Sequence, residues 1–128
     1  MHDLLEQVLD LPEGRKYILD RRIIPGYIGV LMAKEARPWL DEMPSAQLSR
    51  HLIGGIAPNE LPFPHEGIFS SYLDDDGFVL APLPNTTFTR DTTCWIYGGV
   101  TLNPMFWPAR RQETLLTQAI YKFHPFFA

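Results

Sequence analysis

The sequence predicts an α+β chain, a small helical bundle followed by a strand, a hairpin and a closing helix. Three observations point there. Residues 1–56 place apolar side chains at helical spacing and put proline at the joints. From Phe78 the pattern shifts to short β-rich runs broken by glycine. After Pro108 the helical period returns.

The elements follow in order. Leu4, Leu5, Val8 and Leu9 mark one face of a first helix, closed at Leu11-Pro12, which also opens the second. Tyr17, Ile18, Asp20 and Arg21 carry the second to Ile24-Pro25, because a residue before proline is pushed out of helical geometry. A third segment spans residues 26–43, with Tyr27, Val30, Leu31 and Trp39 as its expected apolar side. Pro38 should kink or split it. Ser45 is the expected N-cap of a fourth helix bearing Leu48, Leu52 and Ile53, ended by Gly54-Gly55. None is long enough to stand alone, so they must pack together.

Residues 57–67, with three prolines, read as a linker. A helical turn through Ile68, Phe69, Tyr72 and Leu73 is expected next. Asp74-Asp75-Asp76-Gly77 then reads as an acidic turn, without the alternating spacing and later glutamate of a calcium loop. Phe78-Val79-Leu80 is expected as a short strand, and Ala81 to Pro84 as an extended approach. Cys94–Tyr97 and Val100–Leu102 flank Gly98-Gly99, a connection suited to a hairpin. Pro108 should begin a helix with Leu115, Leu116, Ala119 and Ile120 inward, stopped by His124-Pro125. Residues 1–77 and 78–128 are therefore expected as two units. The chain ends at Phe126-Phe127-Ala128 with no returning strand, so it is expected to be part of a larger architecture.

Composition narrows the function. The 128 residues carry 11 basic and 15 acidic side chains, a net charge of −4, which argues against nucleic-acid partners. A single cysteine forms no internal disulfide. No apolar run approaches the roughly 18 residues of a membrane span, and the acidic start is unlike a signal peptide. A cytoplasmic location is the expectation.

Two segments carry the candidate chemistry, PNTTFTRD at 84–91 and WPARRQE at 107–113. The Asp91 carboxylate can accept two parallel hydrogen bonds from a guanidinium, and Arg110 can do the same for an α-carboxylate. On this reading they face a common hollow, spaced for the two ends of a guanidino amino acid. Plainer readings compete. Asp91 can stabilise its own turn or pair with Arg90. Arg110 falls in the first turn of the expected helix, beside the positive end of the dipole, where Glu113 can neutralise it. Cys94 with His124 could form a nucleophile–base pair, yet an apolar strand beside Trp95 is a poor place to generate a thiolate. His51, His65 and His124 lack the spacing of metal ligands.

From Pro82 to Pro125 the sequence, PLPNTTFTRDTTCWIYGGVTLNPMFWPARRQETLLTQAIYKFHP, resembles arginine deiminases almost throughout. FTRD followed by ARRQE is the specific core of that match. Residues 1–77 resemble, less strongly, the helical domain that those enzymes insert into their fold. The resemblance implies an α/β architecture in the broader sense: a helical insertion followed by one incomplete ββα module of a five-bladed pseudo-symmetric α/β propeller.

It also implies hydrolysis of L-arginine to L-citrulline and ammonia, by thiolate attack on the guanidinium carbon and without cofactor or metal. By motif position, Asp91 matches the catalytic aspartate that clamps the guanidinium. Arg110 matches an arginine holding the α-carboxylate, and Asn85 and Phe88 match residues lining the amino-acid end.

The family's nucleophile, its histidine and a second pair of acidic residues belong to segments with no counterpart here, and Cys94 does not match the nucleophile. The expectation is a chain inactive by itself, whose partners are L-arginine and the missing modules, in a possible homo-oligomer. Two rivals stand beside it: a non-catalytic arginine-binding module, and a piece of a related amidinotransferase or agmatine deiminase. Agmatine has no carboxylate for Arg110 to hold.

Overall fold

A computed structural model describes residues 1–63, 77–87 and 90–127. The expected helical turn at 68–73, the acidic turn at Asp74–Asp76, His65 and Phe88 lie outside the described residues.

Mixed α and β structure is observed: α1 (His2–Leu9), α2 (Pro12–Arg22), α3 (Pro25–Ile28), α4 (Val30–Glu42) and α5 (Ser45–Gly54), then β1 (Thr93–Ile96), β2 (Gly99–Leu102) and α6 (Glu113–Phe123). Single 3-10 turns occur at Pro58–Glu60 and Pro108–Arg110. Helix α1 buries Leu5, Val8 and Leu9, one stripe at helical spacing. Helix α2 starts with Pro12, whose missing N–H costs nothing at that position. The two helices meet tightly: a Cβ at Gly14 would collide with the Val8 carbonyl.

The third segment departs from expectation in two ways. Its break falls at Gly29 (φ +87°), while α4 runs unbroken through Pro38. Glycine takes that φ without the Cβ penalty, so the chain divides there. Its inward face is Met32, Ala33, Ala36 and Leu40, while Tyr27, Val30 and Leu31 are exposed. Trp39, the fourth residue of the expected apolar side, is half-buried and does pack against the core.

Ser45 is likewise not a cap. It begins α5, and its hydroxyl accepts from Arg15 Nη2 at 2.8 Å. Arg15 also donates to the carbonyls of Leu9 (3.0 Å), Asp41 (2.8 Å) and Met43 (2.7 Å), tying the end of α1 to the α4–α5 corner. Gly55 ends α5 as expected, with φ +85°.

Residues 78–80 do not form a regular strand. Leu80 makes an isolated antiparallel bridge with Ile56, and Val79 N–H also donates to the Ile56 carbonyl at 2.9 Å. With that single pairing, Val79, Leu80 and Leu83 lie in the same core cluster as Leu5, Leu9, Ile18, Leu19, Leu48, Leu52 and Leu116. Burying each such side chain stabilises by about 1.5–3 kcal/mol, so this shared core dominates the packing. Arg22 spans the junction, donating from Nη2 to the carbonyls of Leu52 (3.3 Å) and Ala81 (2.6 Å). Burial pulls its pKa down to about 10, so it remains a cation at neutral pH.

In the hairpin, Thr93 pairs with Leu102 and Ile96 with Gly99, which makes Tyr97-Gly98 the turn rather than Gly98-Gly99. Both turn residues have positive φ (50° and 79°), as a type I′ connection requires. After β2, Pro108 starts a 3-10 turn and α6 begins only at Glu113, so Arg110 precedes the helix instead of occupying its first turn. Leu115, Leu116, Ala119 and Ile120 face inward, and α6 packs on α1 and α2. The chain end also has partners: the Phe127 ring meets Tyr121 at 4.8 Å and Trp95 at 6.2 Å. Phe126 remains exposed.

Candidate functional site

Asp91 sits in the turn that enters β1, and its placement is fixed through the backbone. Asn103, just beyond β2, donates from Nδ2 to the Asp91 carbonyl at 3.2 Å and from its backbone N–H to the Thr92 carbonyl at 2.8 Å. Thr114 Oγ1, in the first turn of α6, donates to the Asn103 carbonyl at 2.8 Å. One asparagine thus joins the hairpin base to the helix start. Its hint in the sequence is Asn103-Pro104, a dipeptide that favours turns with side chain to backbone hydrogen bonds.

Arg110 approaches Asp91 from the 3-10 turn. Nη2 donates to Asp91 Oδ2 at 3.3 Å. The stronger partner is Glu113: Arg110 Nε lies 3.1 Å from both of its oxygens, and Nη2 lies 2.9 Å from Oε2. Glu113 is almost fully buried, while a quarter of the Arg110 side chain is exposed. The hydrogen bonds that Arg110 donates to Glu113 chiefly, and to Asp91, hold the guanidinium pKa above the ordinary arginine range against the opposing effect of burial. Glu113 Oε1 also accepts the Asn85 backbone N–H at 3.1 Å. Asn85 Oδ1 in turn accepts from the Thr87 N–H at 3.2 Å.

Three of the four expected site residues, Asn85, Asp91 and Arg110, therefore converge on one carboxylate-centred network. The fourth, Phe88, lies outside the described residues. Asp91 and Arg110 face each other, but at 3.3 Å they touch, and no hollow separates them. The plainer pairings are present too. Glu113 neutralises Arg110, and Arg90 Nε lies 3.9 Å from Asp91 Oδ1. Glu113 is central here, where the sequence offered it only as a competitor for Arg110.

Cys94 is exposed on the outer side of β1, not enclosed in apolar surroundings. Alternation along the strand places it on the face opposite Thr93 and Trp95. His124 is buried with both ring nitrogens engaged. Nδ1 accepts the Phe126 N–H at 3.2 Å, so Nε2 carries the proton and donates to Gln7 Oε1 at 2.9 Å. No group of three or more histidine, cysteine, aspartate or glutamate side chains among the described residues is arranged to hold a metal ion. No helix of the described residues is long and apolar enough to cross a membrane.

Fold and network together define an α+β chain built around an arginine held between two carboxylates. A sequence model of the arginine deiminase family matches residues 1–128, the whole chain. The chain belongs to the arginine deiminase family. That membership brings with it an amidine-hydrolysing type of chemistry and arginine as the family's substrate.

Proposed function

We propose that this chain supplies the substrate-holding part of the hydrolysis of L-arginine to L-citrulline and ammonia, and is inactive alone. Asp91 clamps the substrate guanidinium. Arg110 holds the α-carboxylate, and Asn85 and Phe88 line the amino-acid end.

The contact between Arg110 Nη2 and Asp91 Oδ2, closed from behind by Glu113, is the observation that carries this reading. In that contact Asp91 already binds a guanidinium, that of Arg110. A substrate guanidinium offers the same planar fork and can take its place. Arg110 then turns its freed N–H groups to the substrate carboxylate while Glu113 keeps hold of Nε. Charge stays balanced throughout the exchange. A carboxylate fixed against the guanidinium orients its central carbon for attack and stabilises the cation, through position and electrostatics rather than bond making. The attacking thiolate is assigned to another part of the enzyme, since Cys94 lies on the open side of the hairpin and His124 is committed to Gln7 and Phe126.

The test is calorimetry of the isolated chain with L-arginine and agmatine, beside a citrulline assay. The expected result is no turnover, with any arginine binding weakened by Asp91→Asn and by Arg110→Ala. Agmatine binding, having no carboxylate, should be insensitive to Arg110→Ala. Robust citrulline formation that Cys94→Ser abolishes would overturn the assignment. Tight arginine binding without turnover would favour an autonomous binding module.

A further inference from the structure

On a different part of the surface, an open cleft of about 540 Å³ runs between the end of α2 and the start of α6. None of Asn85, Asp91, Arg110 and Glu113 lines it. Among the residues that do, the charged ones are Arg21 and Arg111, in a chain whose net charge is −4. Arg21, near the end of α2, and Arg111, in the turn just ahead of α6, both line the cleft, and among the described residues no carboxylate lines it with them.

Both have donors to spare. Arg111 makes no side-chain hydrogen bond or ion pair among the described residues, unlike its neighbour Arg110. Arg21 lies over the Tyr17 ring at 3.7 Å and donates once, from Nη1 to the Tyr17 carbonyl at 3.2 Å. That stacking holds the guanidinium flat and leaves its remaining N–H groups unused among the described residues. Gln112, also on the wall, buries its Oε1 with no donor among the described residues. Turning that amide toward a donor in the cleft removes the cost of an unpaired buried acceptor. Leu102, Met105 and Leu115 add an apolar floor.

We propose that this cleft binds a small carboxylate that also carries an N–H donor. The carboxylate bridges Arg21 and Arg111, the N–H reaches Gln112 Oε1, and the carbon body rests on the apolar floor. The proposal does not depend on the role given to Asp91 and Arg110.

N-acetylglycine is a suitable probe, because it has the carboxylate and the N–H but no guanidinium for Asp91 to clamp. Titrating it into the isotope-labelled 128-residue chain should shift the amide resonances of Leu102, Arg111, Gln112 and Thr114 saturably. Acetate should bind more weakly, and N-methylacetamide should not saturate. Arg111→Ala, at an exposed side chain, should weaken N-acetylglycine by about tenfold. Gln112→Met should erase its advantage over acetate, and Asp91→Asn should change nothing. The proposal is overturned if the shifts fail to saturate, or if they saturate equally in Arg111→Ala. Equal binding of acetate and N-acetylglycine by the unaltered chain would also defeat it, leaving only a bare anion patch.

Discussion

Glu113 grips Arg110 through both of its carboxylate oxygens, with Nε 3.1 Å from each and Nη2 2.9 Å from Oε2. Asp91, nineteen residues earlier in the chain, touches the same Nη2 from the other side at 3.3 Å. These two carboxylates are not equivalent. Glu113 is almost fully buried and also accepts the Asn85 N–H, whereas the Asp91 side chain is 45% exposed.

Replacing them should therefore have different consequences. Asp91→Asn removes a solvent-screened pair, and such pairs contribute little to stability, so the melting curve should be nearly unchanged. Glu113→Gln takes a charge from a buried position, loosens Arg110 and weakens the acceptor of the Asn85 N–H. It should lower the melting temperature by several degrees and broaden the Asn85 amide signal. Thermal denaturation of both variants, run together, checks the ranking. A larger loss in Asp91→Asn than in Glu113→Gln would show that Asp91 is the structural member of the pair.

Arg22 is expected to act as a buried pin between α5 and the segment that follows Gly77. Arg22→Ala removes the donor to the Leu52 and Ala81 carbonyls and opens a cavity, a combined cost of about 2–4 kcal/mol. The loosening should be local before it is global. Hydrogen exchange at the Val79, Leu80 and Leu83 amides, which donate to Ile56 and Ile53, should speed up more than exchange within α6. Uniform acceleration across the chain would refute the local role.

The helices and their joints were legible because each rests on local signals, apolar spacing with proline or glycine at the ends. What the sequence hid was the outcome of competition between neighbours. Pro38 is a strong breaker by rule, yet Gly29 takes the bend because its positive φ is free of strain, and α4 continues past the proline. Ser45 has the right chemistry for a cap, but Arg15 reaches it from α2 and claims its hydroxyl. The candidate site shows the same limit. Asp91 and Arg110 stood out as residue types at a spacing, while Asn103 and Thr114, which position the loop, act through backbone carbonyls that carry no residue signature.

Acid sensitivity should include a contribution from Asp20. Hydrogen bonds from Lys16 and then Arg37 hold its carboxyl below the ordinary value of 3.8. A carboxyl depressed in the folded state stabilises the fold at pH values above 3.8, and that stabilisation disappears as pH falls through the lower folded-state value. Asp20→Asn should therefore be slightly less stable than the unaltered chain at pH 7 and equal to it well below pH 3.8. The carboxylate is partly exposed, so added salt should shrink the difference at pH 7. Urea titrations at the two pH values measure it. A gap that persists at the acid end would mean that the asparagine disturbs packing instead.

The adjacent glycines at the end of α5 offer a sharper test, because the same substitution should have opposite signs one residue apart. Gly54 is helical and exposed, and a Cβ there meets nothing within 4 Å. Gly54→Ala should stabilise by about 0.5–1 kcal/mol, by narrowing the unfolded ensemble. Gly55 has φ +85° and ψ 178°, a region almost confined to glycine, where other residues cost about 1–3 kcal/mol. A Cβ at Gly55 would also come within 2.6 Å of the Leu80 carbonyl and 2.8 Å of the Pro82 nitrogen. These are backbone atoms, which cannot swing aside as a side chain does. Gly55→Ala should accordingly destabilise by more than backbone strain alone, and force the Ile56–Leu80 bridge apart. Gly98→Ala is a milder case for comparison. It has a comparable φ of +79° but open space around the new methyl, so its loss should be smaller than that of Gly55→Ala. Equal losses at 55 and 98 would mean that the close approach of the two backbones contributes nothing.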